Sequence, residues 1–402
     1  MRNSAVIIGA GPGGAAAAVR LAQRGVRNVI LVDKDRFPRE KTCGSALSPN
    51  GLKITDELGI GDEVRRRGYA IGSLRVITPG ARQMYMTTEA GTSVILLRKH
   101  FDNLLVERAQ SLGVDFRGGY KAQELIREGG RVVGVRGKEG DIRADYVLAA
   151  DGAHSMFSSD TRPKRTISTL MGWWEGMPFL PGTIEMIFDK NLSPLYGWMF
   201  PETETRVNIG ICMDGEGPDG RKTERNVREV FARFLEDHFH DRLRDARQIG
   251  KLKGHPISYT TWIRDLTAPG MLHLGEAARI THNATGEGIF QAMQSGLYAA
   301  DALADVISGG DEKRAWSRYQ WQCRRRFTVG FLVGHAVRGV LKTPLLDGVA
   351  MAYNSPAIRR VATWAIGSAL AGSHLKESAG SAKRPAPTVP VSDADDSLAH
   401  AN

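Results

Sequence analysis

Ser4-Ala-Val-Ile-Ile8 runs directly into Gly9-Ala-Gly-Pro-Gly-Gly14 and then into the alanine-rich stretch Ala15 to Gln23. An apolar run, a glycine-rich turn and a helix former, in that order, make a strand-to-helix phosphate loop. Gly9 permits the tight turn, Gly11 lets backbone approach a pyrophosphate, and Gly14 lets the helix pack on the strand with its N-terminal amides facing the phosphates. A second apolar run, Asn28-Val-Ile-Leu-Val32, ends at Asp33, near the separation of about 20 residues expected for the acid that accepts a ribose hydroxyl. Taken alone, the glycines read equally as an ordinary turn. With strand, helix and acid around them they select nucleotide binding and an α/β, Rossmann-like domain.

Two later stretches fit the same cofactor: Ala150-Asp-Gly-Ala-His154, and Gly275-Glu-Ala-Ala followed by Thr285-Gly-Glu-Gly288. The chain has 402 residues, 42% of them hydrophobic, enough for a large core and more than one ordinary domain. A cofactor domain interrupted by a substrate domain follows. The cofactor domain is assigned to residues 1–70, 98–160 and 265–310, and the substrate domain to 71–97 and 161–264. Residues 311–375 form a C-terminal helical region, and 376–402, small, polar and Pro-bearing, a disordered tail.

Leu74-Arg-Val-Ile77 and Ser93-Val-Ile-Leu-Leu97 suggest paired strands, followed by a helix over 100–111. Residues 165–262 read mostly as antiparallel sheet. In Arg206 to Met213 the alternation of Val207, Ile209 and Ile211 with Asn208, Gly210 and Cys212 has the period of a half-buried strand. Helices are expected over 226–244 and 288–307.

Three cysteines, Cys43, Cys212 and Cys323, lack metal-ligand spacing and argue against a disulfide framework or a zinc site. Met1-Arg-Asn-Ser leads straight into the first strand, so no secretory signal is expected and a cytoplasmic location is. The formal charge of +10 comes from 54 basic and 44 acidic residues, and between Asp311 and His374 there are ten Lys or Arg against three Asp or Glu. Interleaved with apolar runs at Phe327 to Val337 and Val361 to Ala371, these charges read either as packing helices with solvated basic faces or as a peripheral contact with anionic lipid at the inner membrane face. The runs are too short to span a bilayer. No base-stacking or recognition motif accompanies the charge, so nucleic acid is not an expected partner.

With all three cofactor stretches in place, the chain resembles the geranylgeranyl reductase family of FAD-dependent oxidoreductases, on the glutathione-reductase-like, p-hydroxybenzoate-hydroxylase-like flavoprotein fold. The matching residues are Lys41-Thr-Cys-Gly44, Trp173-Trp-Glu-Gly176, and Pro194-Leu-Tyr-Gly-Trp-Met-Phe-Pro201 followed by Val207-Asn-Ile-Gly210. The resemblance implies a Rossmann-like FAD domain with an interleaved antiparallel-sheet substrate domain. It places FAD against Gly9, Gly11, Gly14, Asp33, Lys34, Cys43, Gly44, Arg98, Asp151, Gly152, Gly275, Glu276, Gly286, Gly288 and Ile289. It makes Tyr196, Trp198 and Phe200 walls of an apolar substrate pocket, where residues alone would favour a hairpin core; Trp174 and His282 are further candidate substrate contacts. Cys43 is either a buried small hydrophobe or a catalytic thiol that positions substrate or donates a proton. Arg98 pairs with the cofactor or starts a surface helix. His154 is expected in a capping or exposed position.

The third stretch departs from the family. Glu276 stands where Gly-Asp is usual, and Arg279 and His282-Asn283 stand where Gly and Asn-Pro lie beside the flavin ring. Glu276, longer by one methylene, still accepts the ribityl hydroxyl, while Arg279 and His282 either bind a polar substrate group, tune the flavin or face solvent.

The function that follows is reduction of C=C bonds in an isoprenoid or other apolar small molecule, with NADPH or NADH as electron donor, or a protein in their place. The alternative is an FAD-dependent monooxygenase of secondary metabolism, with hydroxylation ahead of halogenation because only Trp198 occurs in the signature stretch. The third reading is a flavin-binding interaction protein.

Overall fold

The computed structural model describes residues 3–87, 92–158, 165–215 and 225–360. The apolar run at 361–371 and the tail expected at 376–402 lie outside the described residues.

The strand Ser4–Ile8 sits inside a six-stranded sheet. It pairs in parallel with Asn28–Asp33 on one side and Tyr146–Ala149 on the other. Asp115–Gly118 extends the sheet beyond Asn28–Asp33, and Met271–His273, returning from the far side of the sequence, extends it beyond Tyr146–Ala149. The turn after the first strand needs glycine for a steric reason. Gly9 has φ +98°, and a Cβ there would lie 2.4 Å from the Ala150 carbonyl oxygen. A Cβ on Gly14 would lie 1.9 Å from the Gly9 carbonyl oxygen.

The helix Pro12–Gln23 carries Pro at its start, where a missing N–H costs nothing. Its fully buried Ala15 to Ala18 let neighbouring elements approach closely around it, the helix Ile289–Ile307 foremost. There Gly296 lets the two backbones close up, since a Cβ would meet the Gly13 carbonyl oxygen at 2.4 Å.

The second sheet has seven strands and joins segments far apart in sequence. Its order is Arg247–Tyr259, Arg165–Glu175, Arg206–Asp214, Gly197–Pro201, Thr183–Ile187, Ser73–Ile77 and Gln83–Thr87. Pairing is antiparallel except where Thr183–Ile187 runs parallel to Ser73–Ile77.

Two expectations are corrected here. Ser73–Ile77 does not pair with the 93–97 segment; Ser93–Ile95 joins Ala46–Leu47 and Tyr69–Ile71 in a separate small sheet. The strand Arg206–Asp214 is not half-buried, because both its faces are covered. Val207, Ile209 and Ile211 pack under the helix Val227–Leu243, whereas Cys212 joins Trp198, Tyr196 and Met186 on the other side.

The long helix Glu312–Val340 and the short helix Leu345–Ala352 tie both sheets together. Tyr319 Oη donates to the His273 carbonyl at 2.6 Å, Arg338 pairs with Asp214, and Asp347 Oδ1 accepts from the Gly80 N–H at 2.9 Å. Among the described residues no helix is long and apolar enough to cross a membrane.

Candidate active site

Between the two sheets lies a cavity of about 880 Å³, toward the top of the range of roughly 300–1,000 Å³ usual for ligand pockets. On the nucleotide side it is lined by Gly9, Gly11, Asp33, Lys34, Arg98, Asp151, Gly152, Gly275 and Glu276. Cys43 and Gly44 form part of its wall, as do Gly286, Gly288 and Ile289 where the Ile289–Ile307 helix begins. Tyr196, Trp198 and Phe200 line it from the second sheet. Gly14 lies behind the loop, its role confined to helix–strand contact.

Gly11 marks the open cradle. A Cβ there would reach only the Arg39 and Arg98 guanidiniums, each at 3.8 Å, so two cations face backbone at a helix N-terminus, the arrangement that holds a pyrophosphate. Both cations are held by Asp102, which is fully buried. It accepts two hydrogen bonds of 2.7 Å from Arg98 and lies 3.0 Å from Arg39 Nη1. Burial works against the Arg98 charge, but Asp102 outweighs it and holds the guanidinium above its ordinary range.

The Asp33 carboxylate ends its strand by accepting from the Ala10 N–H at 2.8 Å and the Asp35 N–H at 2.9 Å. Burial raises its pKa. Asp151 is likewise raised by burial, and its Oδ1 is buried with no hydrogen-bond partner among the described residues. Glu276 turns one oxygen to the Ser258 N–H at 2.9 Å, so the extra methylene relative to Asp is taken up by an anchor on the second sheet. Open backbone at Gly11, paired cations, a strand-end acid and an orphaned acid oxygen fit an adenine dinucleotide carrying a flavin.

The aromatic wall is held from behind. Trp198 Nε1 donates to Asn208 Oδ1 at 2.8 Å, and Asn208 Nδ2 donates to the Gly172 carbonyl at 3.0 Å. Gly210 lies under the indole, where a Cβ would approach ring carbons to 2.2 Å. A Cβ on Gly44 would lie 3.0 Å from the Phe200 ring, which accounts for glycine next to Cys43. Cys43 Sγ accepts from the Ser45 N–H at 3.3 Å and sits beside Arg98. Burial raises the pKa of the Tyr196 hydroxyl, which donates to the Thr285 carbonyl, well above its usual value.

Two expected pocket residues lie elsewhere. Trp174 packs on Phe231 in the core on the opposite face of the sheet, because adjacent residues of a strand point to opposite faces. His282 and its neighbours Arg279 and Asn283 do not line the cavity, and His282 and Asn283 dock the C-terminal helix. His282 Nδ1 accepts from the Thr285 N–H at 3.2 Å, while Nε2 lies 3.2 Å from the Gly330 carbonyl. Asn283 Nδ2 donates to the Phe331 carbonyl at 2.9 Å, and Arg338 Nη1 donates to the Asn283 carbonyl at 2.8 Å. Arg279 is buried at φ +58°, closing the Gly275–Ala278 turn. Of the departures from the usual family residues, His282 and Asn283 therefore act on helix docking, whereas Glu276 lines the pocket. His154 is exposed at the rim.

Sequence reading gave no role to Arg39, Asp102, Lys41, His255 or Glu287. Arg98 and Asp102 carry a readable signal, opposite charges four apart on a helix. Lys41 Nζ lies 2.9 Å from His255 Nε2. Burial lowers both pKa values, that of His255 to about 4 with Lys41 adding to the effect, so neutral His255 accepts from Lys41. Nothing in the spacing of 41 and 255 signals this pair.

A phosphate loop, two helix-held arginines and an aromatic-walled cavity define an FAD-dependent oxidoreductase. The FAD binding domain family matches residues 2–329. Digeranylgeranylglycerophospholipid reductase from Methanosphaerula palustris is 31% identical over 77% of this chain and 78% of its own length. The enzyme of that name from Methanothrix thermoacetophila is 29% identical over 77% and 80%. Among solved structures, a geranylgeranyl bacteriochlorophyll reductase-like protein from Thermoplasma acidophilum superposes with TM-score 0.78 at 24% identity, covering 90% of this chain and 95% of that one. A flavin-dependent brominase has TM-score 0.74 at 20% identity over 92% and 94%, a likeness of fold. The chain belongs to the FAD binding domain family and, within it, to the geranylgeranyl reductase family.

Proposed function

We propose that this oxidoreductase saturates carbon–carbon double bonds in an isoprenoid lipid. The observation that carries the reading is continuity: the cavity that begins at the Gly9–Gly14 loop ends at Tyr196, Trp198 and Phe200, with Leu74, Met171 and Met186 around them. A polyprenyl chain gains about 0.8 kcal/mol for each methylene buried on such a surface. The relatives named for a digeranylgeranyl lipid support the same class of substrate.

When bound, FAD would supply the hydride. Gly11, Arg39 and Arg98 would hold its pyrophosphate, Asp33 its ribose, and Glu276 with Asp151 the ribityl side. Cys43 and Gly44 would stand beside the cofactor, with Gly44 packed against the Trp198–Phe200 wall, and the wall would exclude water. A nicotinamide cofactor or a redox protein is the electron donor.

Lipid access is peripheral, at the inner face of the cytoplasmic membrane. On the Glu312–Val340 helix, Trp321, Val329, Leu332, Val333 and Val340 are exposed, and Arg325 lies 5.0 Å from the Trp321 ring. Apolar groups flanked by cations suit an anionic bilayer surface.

The test is to incubate the FAD-loaded, chemically reduced protein anaerobically with polyprenyl lipids and measure product mass. A gain of two hydrogens per double bond is expected. Product that forms only with oxygen and carries one added oxygen atom contradicts the reading and selects a monooxygenase.

A further inference from the structure

Resting on the reductase reading, we infer that Glu287 is the acid that delivers the proton to the alkene. Saturating a C=C bond consumes one hydride, which reduced FAD supplies when bound, and one proton. The π bond breaks, two C–H bonds form, Glu287 is left as a carboxylate, and water reprotonates it between turnovers.

The argument begins with position. Glu287 lines the cavity at the start of the Ile289–Ile307 helix, two residues after Thr285, whose carbonyl takes the Tyr196 hydroxyl. The loop is fixed on both sides of the acid: the His282 N–H donates to the Glu287 carbonyl at 2.9 Å, and the Gly286 N–H donates to the His282 carbonyl at 2.9 Å. The carboxyl group itself is held by Gln291, whose Nε2 donates to Oε2 at 3.2 Å, and by Ser48 from the cap of the Pro49–Leu58 helix. The remaining charged or titratable groups facing it are Arg326 from the Glu312–Val340 helix and Tyr196 from the second sheet. Burial dominates, and the carboxyl pKa stands above its ordinary value. An acid that keeps its proton nearer neutrality is matched to general-acid work.

The other protic groups on the same wall are less suited. Tyr196 already donates to Thr285, and its pKa is well above the usual value. Cys212 is pushed up to about 12 by burial, too weak an acid. Cys43 receives hydrogen bonds, from the Ser45 N–H and on the Arg98 side, an arrangement that suits positioning and leaves the proton to Glu287.

The experiment compares wild type with Glu287→Gln and Glu287→Asp, all FAD-loaded, reduced with dithionite and mixed anaerobically with digeranylgeranylglycerophospholipid in detergent micelles. Flavin reoxidation is followed by absorbance, and the carboxylic-acid carbonyl stretch by infrared spectroscopy without substrate. Glu287→Gln is near-isosteric and is expected to bind FAD normally, to lose one protonated-carboxyl band and to reoxidise about 100-fold more slowly or worse. Glu287→Asp is expected to recover part of the rate. Reoxidation of Glu287→Gln at the wild-type rate, or a Glu287 that is ionised in the infrared spectrum at neutral pH, overturns the inference and leaves the reductase reading standing. Wild-type flavin that no alkene reoxidises overturns both.

Discussion

At Asp102 a single buried carboxylate determines whether the cofactor cradle exists, because Arg98 and Arg39 both converge on it. Removing one member of such a cluster leaves uncompensated charge and costs about 3–5 kcal/mol. Asp102→Asn is therefore expected to lower the unfolding free energy by that amount and to weaken FAD retention, read by denaturant melts and by flavin released on gel filtration. Unchanged stability together with unchanged FAD retention contradicts this account of the cradle. The residue scale was also where sequence was most informative. Gly9, Gly11, Gly14 and Asp33 announce their roles through local spacing, since a tight turn, a close approach and a strand-end acid are all short-range demands. Lys41 with His255, and Ser48 with Glu287, give no such signal, because each pair joins residues more than two hundred apart in the chain, the first across the two domains and the second within the cofactor domain.

Elements were legible where their periodicity was strong. The 12-residue helix Pro12–Gln23, the Val227–Leu243 helix and the hairpin of Gly197–Pro201 with Arg206–Asp214 fall within a few residues of their expected places. What sequence could not supply was facing and partnership. Alternating residues were sorted correctly in the Arg206–Asp214 strand, yet both its sides are buried, and Trp174 lies one residue out of phase with the pocket. His282 and Asn283 occupy positions that suggest cofactor contact but serve the Glu312–Val340 helix, at partners more than forty-five residues downstream. Burial lowers the His282 pKa to about 4, below its ordinary 6.5. Its contribution to stability is thus complete above pH 6.5 and is lost as pH falls through 4, when Nδ1 must take a proton and can no longer accept from Thr285. Glu202, pushed up to about 7 by burial, works in the opposite sense, gaining stability as pH falls. The discriminating measurement is the difference between wild type and His282→Asn. From pH 7 to pH 4.5 wild type is expected to lose a few kcal/mol more than the variant, and parallel pH profiles contradict the assignment.

For the whole molecule, fold class and cofactor could be read from three separated stretches because the interleaved architecture brings them back to one sheet and one cavity. Peripheral lipid access, as proposed, rests on the long C-terminal helix, which carries an exposed apolar and basic face. Trp321→Glu is expected to reduce co-sedimentation with anionic phosphatidylglycerol vesicles several-fold while leaving FAD content unchanged; equal sedimentation of variant and wild type removes the membrane proposal. The central claim is that this cavity reduces alkenes, and the most direct measurement is a single anaerobic turnover of FAD-loaded, prereduced protein with digeranylgeranylglycerophospholipid, with flavin spectrum and product mass recorded on the same sample. One double bond saturated for each flavin reoxidised is the predicted result. Flavin that stays reduced until oxygen is admitted, with the lipid unchanged or oxygenated, contradicts it.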